Sequence, residues 1–477
     1  MHTSSKVVMP FASLALVPAP PAIAGALIAL GLVRGEGPVA RTVVTALAGA
    51  IALDLAAAFA GADRLGAFAA GAIAAIAAIV AGYGARALQG GTIPYARFFT
   101  LLAAATAGSL AVVAAGDVRV LAAAWVATGW LTSALLGLAG SRPARRWALR
   151  HAAIEGVGDA AWIAILVLAW HAFGTFDIGA IAHAAVPGDT TTAIALALVI
   201  AGVSRSALVP LHGWLPNSME APTPVSAFMH AGLVNGAGLL LAKTAALIAL
   251  APAALALAAL LGALTAALGT VCALARPEAK RRLGWSTVAQ MGFMVLQCGC
   301  GAFAAAVVHL VAHGGYKSAA FLGVQGSIAG DKRARLLGAG AASASGPALR
   351  ALLAFAPAFA GLALAWLVLR GALFGASMTP VLALAWACAV SAARLSAERR
   401  IGARPRVLLG LAVAGALAAY AIAVVALDAW LGNALPHVTF APAAFAVTVG
   451  AIGAGLIVGC GIRLRPPNAL YAYALAA

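Results

Sequence analysis

The sequence is 477 residues long, 64% hydrophobic and 9% charged, with a mean hydropathy of +1.02. Water would not keep such a chain folded as a globular domain. Its formal net charge of +17 would point to nucleic acid in a soluble protein, so the placement of the basic residues has to decide between that partner and a membrane topology.

Apolar runs of about 18 to 25 residues, each able to cross a hydrocarbon core about 30 Å thick, recur along the chain. About fifteen are predicted, at 11–33, 41–60, 66–85, 98–115, 120–140, 152–172, 190–209, 225–249, 253–274, 283–299, 302–328, 351–374, 378–393, 407–432 and 440–462. The fold class expected is an all-α polytopic membrane protein with about 14–15 transmembrane helices, forming a single transmembrane domain over 1–477. Pro18, Pro20 and Pro21 imply a kinked or late first helix. A separate signal peptide is not expected, because one lysine and no small-residue cleavage site precede the first run. Asp54, alone in the second span, reads as a polar packing residue. Cys272, Cys298, Cys300, Cys388 and Cys460 lack C-x-x-C or zinc-ligand spacing and read as packing residues.

In the sixth span His151, Glu155 and Asp159 stand four residues apart, which stacks them on one helical face. Residues 202–243 follow, where Pro210, Pro216, Pro222 and Pro224 interrupt an apolar region around Arg205 and His230. Unwound backbone at membrane depth is tolerated only where protein or a wet cavity satisfies it, so a broken helix is expected here. The alternative is a cytoplasmic loop joining two ordinary helices. Lys243 lies late in its helix and is either part of a buried path or a snorkelling residue. The eleventh span carries His309, His313 and Lys317, again four apart. His309-x-x-x-His313 could hint at zinc, but no glutamate follows His309 and no third ligand is evident, so no metal is assigned.

If alternate loops face one side, the segments 34–41, 86–97, 142–150, 210–224, 276–282, 331–350, 394–406 and the tail after 462 hold twenty-three of the thirty Lys and Arg, and the other side holds four. That is the positive-inside pattern, with the basic loops cytoplasmic and the N-terminus outside; nucleic acid is excluded as a partner. The remaining three, Arg205, Lys243 and Lys317, fall inside apolar helices. A charge there costs roughly 2.5 to 3.5 kcal/mol and normally faces a polar interior or an ion path. Histidine titrates near neutrality and a buried lysine can be pushed toward it, so rows of such residues can pass protons stepwise.

Three blocks carry a resemblance. HGWLPNSMEAPTPVSAFMHAG at 212–232, RPEAKRRLGWSTVAQMGFMVL at 276–296 and HLVAHGGYKSAAFLGVQGS at 309–327 resemble the proton-conducting antiporter-like membrane subunits of complex I, Mrp-type antiporters and related transporters. The resemblance covers roughly 95–330, the proton-conducting core it implies, and beyond that only hydrophobicity matches. It implies an antiporter-like bundle with broken helices and a central polar axis that includes His230, His309, His313 and Lys317, with Asp159 at the family's sixth-helix aspartate. Three departures stand out. Arg205 replaces a lysine that titrates in pumping members, and arginine cannot be deprotonated in proteins. Val126 stands where the fifth-helix glutamate is usual, and Glu155, on a neighbouring helix, is the proposed substitute. The lysine-bearing C-terminal segment has no visible counterpart, with Arg370 a distant candidate, and there is no room for a long lateral helix.

M-H-A-G-L-V-N at 229–235 looks like the DabB branch of the family. That branch implies a prokaryotic inner-membrane location, no cofactor in this chain, and a partner, a DabA-like zinc protein resembling a β-carbonic anhydrase. The chain would then be no enzyme but the ion-coupled membrane subunit of an inorganic-carbon (CO2/bicarbonate) accumulation complex. The alternatives are a proton-translocating subunit of an NADH:quinone oxidoreductase-type complex or cation/proton antiporter, or a scaffold that no longer transports.

Overall fold

The structure is a computed structural model, and it describes residues 14–324, apart from 62 and 277, together with 403–436 and 438. The spans expected at 351–374, 378–393 and 440–462, and Arg370, lie outside the described residues. Fifteen helices make up the described part: α1 (Ala19–Ala29), α2 (Glu36–Phe59), α3 (Arg64–Ala87), α4 (Tyr95–Ala114), α5 (Val118–Leu136), α6 (Arg142–Phe173), α7 (Ile178–Ala184), α8 (Asp189–Arg205), α9 (Thr223–Ala231), α10 (Gly236–Lys243), α11 (Ala245–Ala249), α12 (Pro252–Ala275), α13 (Ala279–Gly299), α14 (Phe303–Leu322) and α15 (Ala403–Leu431). No strand occurs among the described residues; the one extended pairing is a bridge between Asp117 and Asp177. Seven segments within the described residues are long and apolar enough to cross a membrane. The first predicted span is a short helix beginning at Ala19, just after the Pro18 kink expected to delay it.

Helix starts follow local chemistry. Asp63 accepts from the backbone N–H of Leu65 and Gly66 at 3.2 and 3.0 Å to cap α3, Asp117 caps α5, and Ser141 caps α6. Each satisfies a donor that the first helical turn leaves open. Gly174, at φ +62°, closes α6 in the left-handed conformation.

Helices in lipid gain no hydrophobic drive from each other, so close packing of small residues has to hold them. The pair α12–α13 is built this way: a Cβ at Gly262, Gly269, Gly292 or Gly299 would lie 2.3–2.5 Å from the backbone nitrogen of Leu296, Ala289, Ala266 or Ala259 respectively. Gly314 on α14 does the same against α3 and α9, where a Cβ would meet Ile76 at 2.6 Å and the Ala231 carbonyl at 2.9 Å.

Two elements are broken, and the breaks face each other. α8 stops at Arg205, Ala207 takes φ +53°, and the chain runs through a 3₁₀ turn at Leu211–Trp214 before re-entering as α9. The predicted span 225–249 is not one helix: α9 gives way to a 3₁₀ turn at Leu233–Asn235, then α10 and α11. Ser206 joins the breaks, its hydroxyl donating to the Val234 carbonyl at 2.5 Å and accepting from the Ala237 N–H at 2.8 Å. Thr265 of α12 accepts from the Val209 N–H at 3.0 Å. The 206–221 stretch is largely buried, so it is a packed connection rather than an exposed loop, and the Ser206 and Thr265 hydroxyls satisfy part of the backbone freed at the breaks.

Candidate functional site

The sequence-predicted ionisable side chains that the structure brings together form two clusters. The first centres on Arg205, 3% exposed. Its Nε donates to both carboxylate oxygens of Glu155 at 3.0 Å, its Nη2 lies 3.0 Å from Glu155 Oε2, and Nη2 also donates to the Trp125 carbonyl at 2.6 Å. The guanidinium sits 4.5 Å over the Trp125 ring. On the far side of the carboxylate, His151 Nε2 lies 3.3 Å from Glu155 Oε1, an ion-pair contact when the imidazole is protonated. His151 Nδ1 is 2.7 Å from Ser133 Oγ on α5. The four-residue spacing on α6 thus stacks His151 and Glu155, and Glu155 supplies the acid that faces Arg205. Glu155 reaches Arg205 because Gly129 of α5 leaves room: a Cβ there would lie 2.9 Å from both Glu155 Oε2 and Arg205 Nη2.

Asp159, one turn further along α6, is half-buried, and among the described residues no hydrogen bond or ion pair ties it to Arg205. Lys243 is set apart from both clusters. Its Nζ donates to the Val113 carbonyl at 2.7 Å, the place a cation takes against the C-terminal end of a helix, here α4.

The second cluster runs along α14. His309 Nδ1 is 3.1 Å from Gln297 Oε1, whose amide nitrogen donates to the Tyr420 hydroxyl at 2.6 Å, which donates in turn to the Ala305 carbonyl at 3.0 Å. His313 Nε2 donates to the His230 carbonyl at 3.2 Å. Lys317 Nζ donates to the Leu283 carbonyl at 3.0 Å and to Ser286 Oγ, and no carboxylate pairs with it among the described residues. The His309 and His313 rings are 5.9 Å apart. The His230 imidazole stacks on Phe321 at 4.3 Å, and among the described residues neither of its ring nitrogens has a protein partner. Gly284 lets α13 pack closely on the proline-bearing connection, since a Cβ there would lie 3.0 Å from Met219 Cε and 3.3 Å from Pro216 Cα.

The proline-bearing turn is fastened from α13: Lys280 Nζ donates to the Met219 and Ala221 carbonyls at 2.6 and 2.8 Å. Pro216 and Pro224 are buried, whereas Pro210 is exposed and Pro222 half-exposed. Between the clusters lies a cavity of about 40 Å³ bounded by Arg205, Trp125, Thr128, Asn235, Phe228 and Leu310. By the usual minimum of about 10–15 Å³ per water it has room for about three. Asn235 Oδ1, buried without a protein partner, borders that space. Among the described residues no three His, Cys, Asp or Glu side chains group as a metal site.

Trp125, Ser133, Ser286, Gln297 and Tyr420 were not singled out from the sequence. Gln297, an amide near the end of an apolar run, carried a readable signal. Tyr420 did not, since its partners lie more than a hundred residues away.

The model of the NADH:quinone oxidoreductase/Mrp antiporter transmembrane family matches residues 115–393, more than half of the chain. The chain belongs to this family. Among relatives of this antiporter family, a probable inorganic carbon transporter subunit, DabB1 of Halothiobacillus neapolitanus, is 39% identical over 238 residues, 48% of this chain and 43% of the relative. NADH-quinone oxidoreductase subunit L of Mycobacterium tuberculosis is 32% identical over 234 residues, 48% of this chain and 37% of the relative. The chain therefore spans less than half the length of these relatives. Among solved structures, the Mrp complex from Dietzia sp. DQ12-45-1b is similar over 97% of this chain and 52% of that one, with a TM-score of 0.60 at 25% identity. The chain is a multi-pass, helical, antiporter-like membrane protein.

Proposed function

We propose that this chain conducts protons across a prokaryotic inner membrane, basic loops inward, as the ion-coupled subunit of an inorganic-carbon accumulation complex. The observation that carries the conduction is the row His309, His313 and Lys317: three titratable groups on one face of α14, buried, with the lysine held by neutral oxygens and, among the described residues, by no counter-ion. Such a lysine is free to change its charge without breaking an ion pair. His230 continues the row, and the small cavity beside Asn235 separates it from Arg205, Glu155 and His151. Asp159, half-buried on α6, adds a further acidic position, and Lys243 an outlying one. The core of the path is the 95–330 region. The reaction chemistry falls to the partner, a DabA-like zinc protein, and this chain needs no cofactor of its own.

The inorganic-carbon assignment draws support from the similarity to DabB1, a probable inorganic carbon transporter subunit, and from the M-H-A-G-L-V-N variant. The energetics are adequate: one charge moving through 150 mV yields about 3.5 kcal/mol at about 2.3 per 100 mV, enough at about 1.4 kcal/mol per tenfold for a gradient of a few hundredfold. A second reading, a subunit of a cation/proton antiporter or a quinone-linked complex, draws support from the likeness to the Mrp structure. Purification from the native membrane in mild detergent, with mass spectrometry and metal analysis, tests both. A single large zinc-containing companion is the expected result. Flavin or iron–sulfur subunits, or a set of small membrane subunits, would overturn the carbon reading in favour of the second.

A further inference from the structure

A wide opening at the start of α6 has no part in either cluster. It is a cavity of about 440 Å³ between the first turns of α6 and the 3₁₀ turn Leu211–Trp214, bordered by Trp147, Arg150, Ala153, His212, Trp214 and Asn217. Arg150 and Ala153 lie 8 and 11 residues into α6, about 12 and 17 Å along its axis at about 1.5 Å per residue. The opening therefore reaches the depth of His151. Its floor is the Trp214 indole, 1% exposed, which meets the His151 ring edge-on with centroids 4.2 Å apart. One aromatic ring thus separates the opening from the histidine that touches Glu155.

We propose that this opening is the port at the basic-loop end of the proton path, with Trp214 gating passage between it and His151 and His212 relaying protons to and from the opening. The inference rests on the conduction reading above. Among the residues around the opening His212 is the side chain able to take up and release a proton near neutral pH, since Arg150 stays charged and indole only donates. His212 is buried in the wall, its ring tilted against Trp285 at 5.7 Å. Burial pushes its imidazole below the ordinary value, partly opposed by the Pro210 carbonyl, so a proton it takes up is readily passed on. The turn that carries His212 and Trp214 is the same connection that separates α8 from α9, and Arg205 lies at its start. A small movement of this turn would couple the gate to the Arg205 cluster.

The test uses inverted membrane vesicles containing the full chain and its native companions, with proton uptake driven by an imposed lumen-negative potential and followed by a pH-sensitive dye. In a chain whose five cysteines are replaced by alanine, Ala153→Cys is treated with a charged, membrane-impermeant methanethiosulfonate from the basic-loop side. Labelling with at least a tenfold fall in uptake, measured against the same vesicles before labelling, is expected. Absence of labelling, or labelling without loss of uptake, overturns the port. His212→Ala is expected to lower uptake about tenfold and to be rescued by millimolar imidazole, which the opening is large enough to admit. A merely structural His212 would give no such rescue, and that result would also overturn the assignment. Lack of uptake by unmodified vesicles would instead sink the conduction reading itself, so the two failures are distinguishable.

Discussion

Glu155→Gln is the change whose consequence the structure defines most closely. The wild-type carboxylate receives the Arg205 fork on both oxygens at 3.0 Å and is 2–3% exposed. Glutamine keeps the shape but leaves the guanidinium with the Trp125 carbonyl at 2.6 Å and the Trp125 ring at 4.5 Å and no counter-ion. Stripping one partner from a buried pair costs about 3–5 kcal/mol, because the surviving charge stays desolvated. If that cost falls on the conducting state, uptake slows by a hundredfold to a few thousandfold at about 1.4 kcal/mol per tenfold. Uptake in vesicles and thermal stability in detergent, measured on the same preparation, apportion the loss between conduction and folding. The double change Glu155→Gln with Arg205→Met removes both charges, and it should recover stability without recovering uptake. A Glu155→Gln protein that conducts at the parental rate would refute the idea that this pair lies in the path.

Lys317→Met should abolish uptake in the same vesicle assay while the protein still purifies with its companions; undiminished uptake would favour the non-transporting scaffold. Gly292→Leu should fail to accumulate in the membrane, since its Cβ alone would lie 2.4 Å from the Ala266 nitrogen and overpacking of this kind costs about 1–3 kcal/mol or more; expression and thermal stability report it. Asp117→Asn should lower stability at neutral pH. The side-chain hydrogen bond from Arg119 holds the Asp117 carboxyl below the usual carboxylate range, so its contribution is present above the unfolded value and is lost as pH falls through the folded one. The gap between wild type and Asp117→Asn should therefore close on acidification toward pH 3, and a gap that persists there would assign the effect to helix capping alone.

Much of the site was legible because helical period converts sequence spacing into shared faces. His151 with Glu155, and His309 with His313 and Lys317, could be placed together from four-residue intervals. The partnership of Glu155 with Arg205 could be anticipated once Val126 was seen to lack a carboxyl. What spacing could not give were contacts between distant elements. The Tyr420 hydroxyl on Gln297, the Lys317 bonds to α13 and the Ser206 link between the two breaks depend on how helices pack, which small residues such as Gly284, Gly292 and Gly314 set. Lys243 shows the same boundary from the other side. Its position late in an apolar helix left two readings open, and only the location of the Val113 carbonyl places its charge against the end of α4.

The arginine at position 205 has a consequence for how any proton would pass this cluster. A lysine there could give up its proton and leave neutral, but Arg205 keeps its charge and is clamped by Glu155 on one side and Trp125 on the other. The carriers at this cluster must then be His151 and Glu155, with Arg205 as a fixed cation between them and the cavity beside Asn235. Arg205→Lys would replace a planar fork by a point charge that cannot reach both the Glu155 carboxylate and the Trp125 carbonyl with the same geometry. It should loosen the pair and add the titration of the new lysine to the pH profile of uptake, a contribution that the wild-type arginine cannot make. Matching pH profiles for the wild type and Arg205→Lys would mean that the fixed charge is not what sets the behaviour of this cluster.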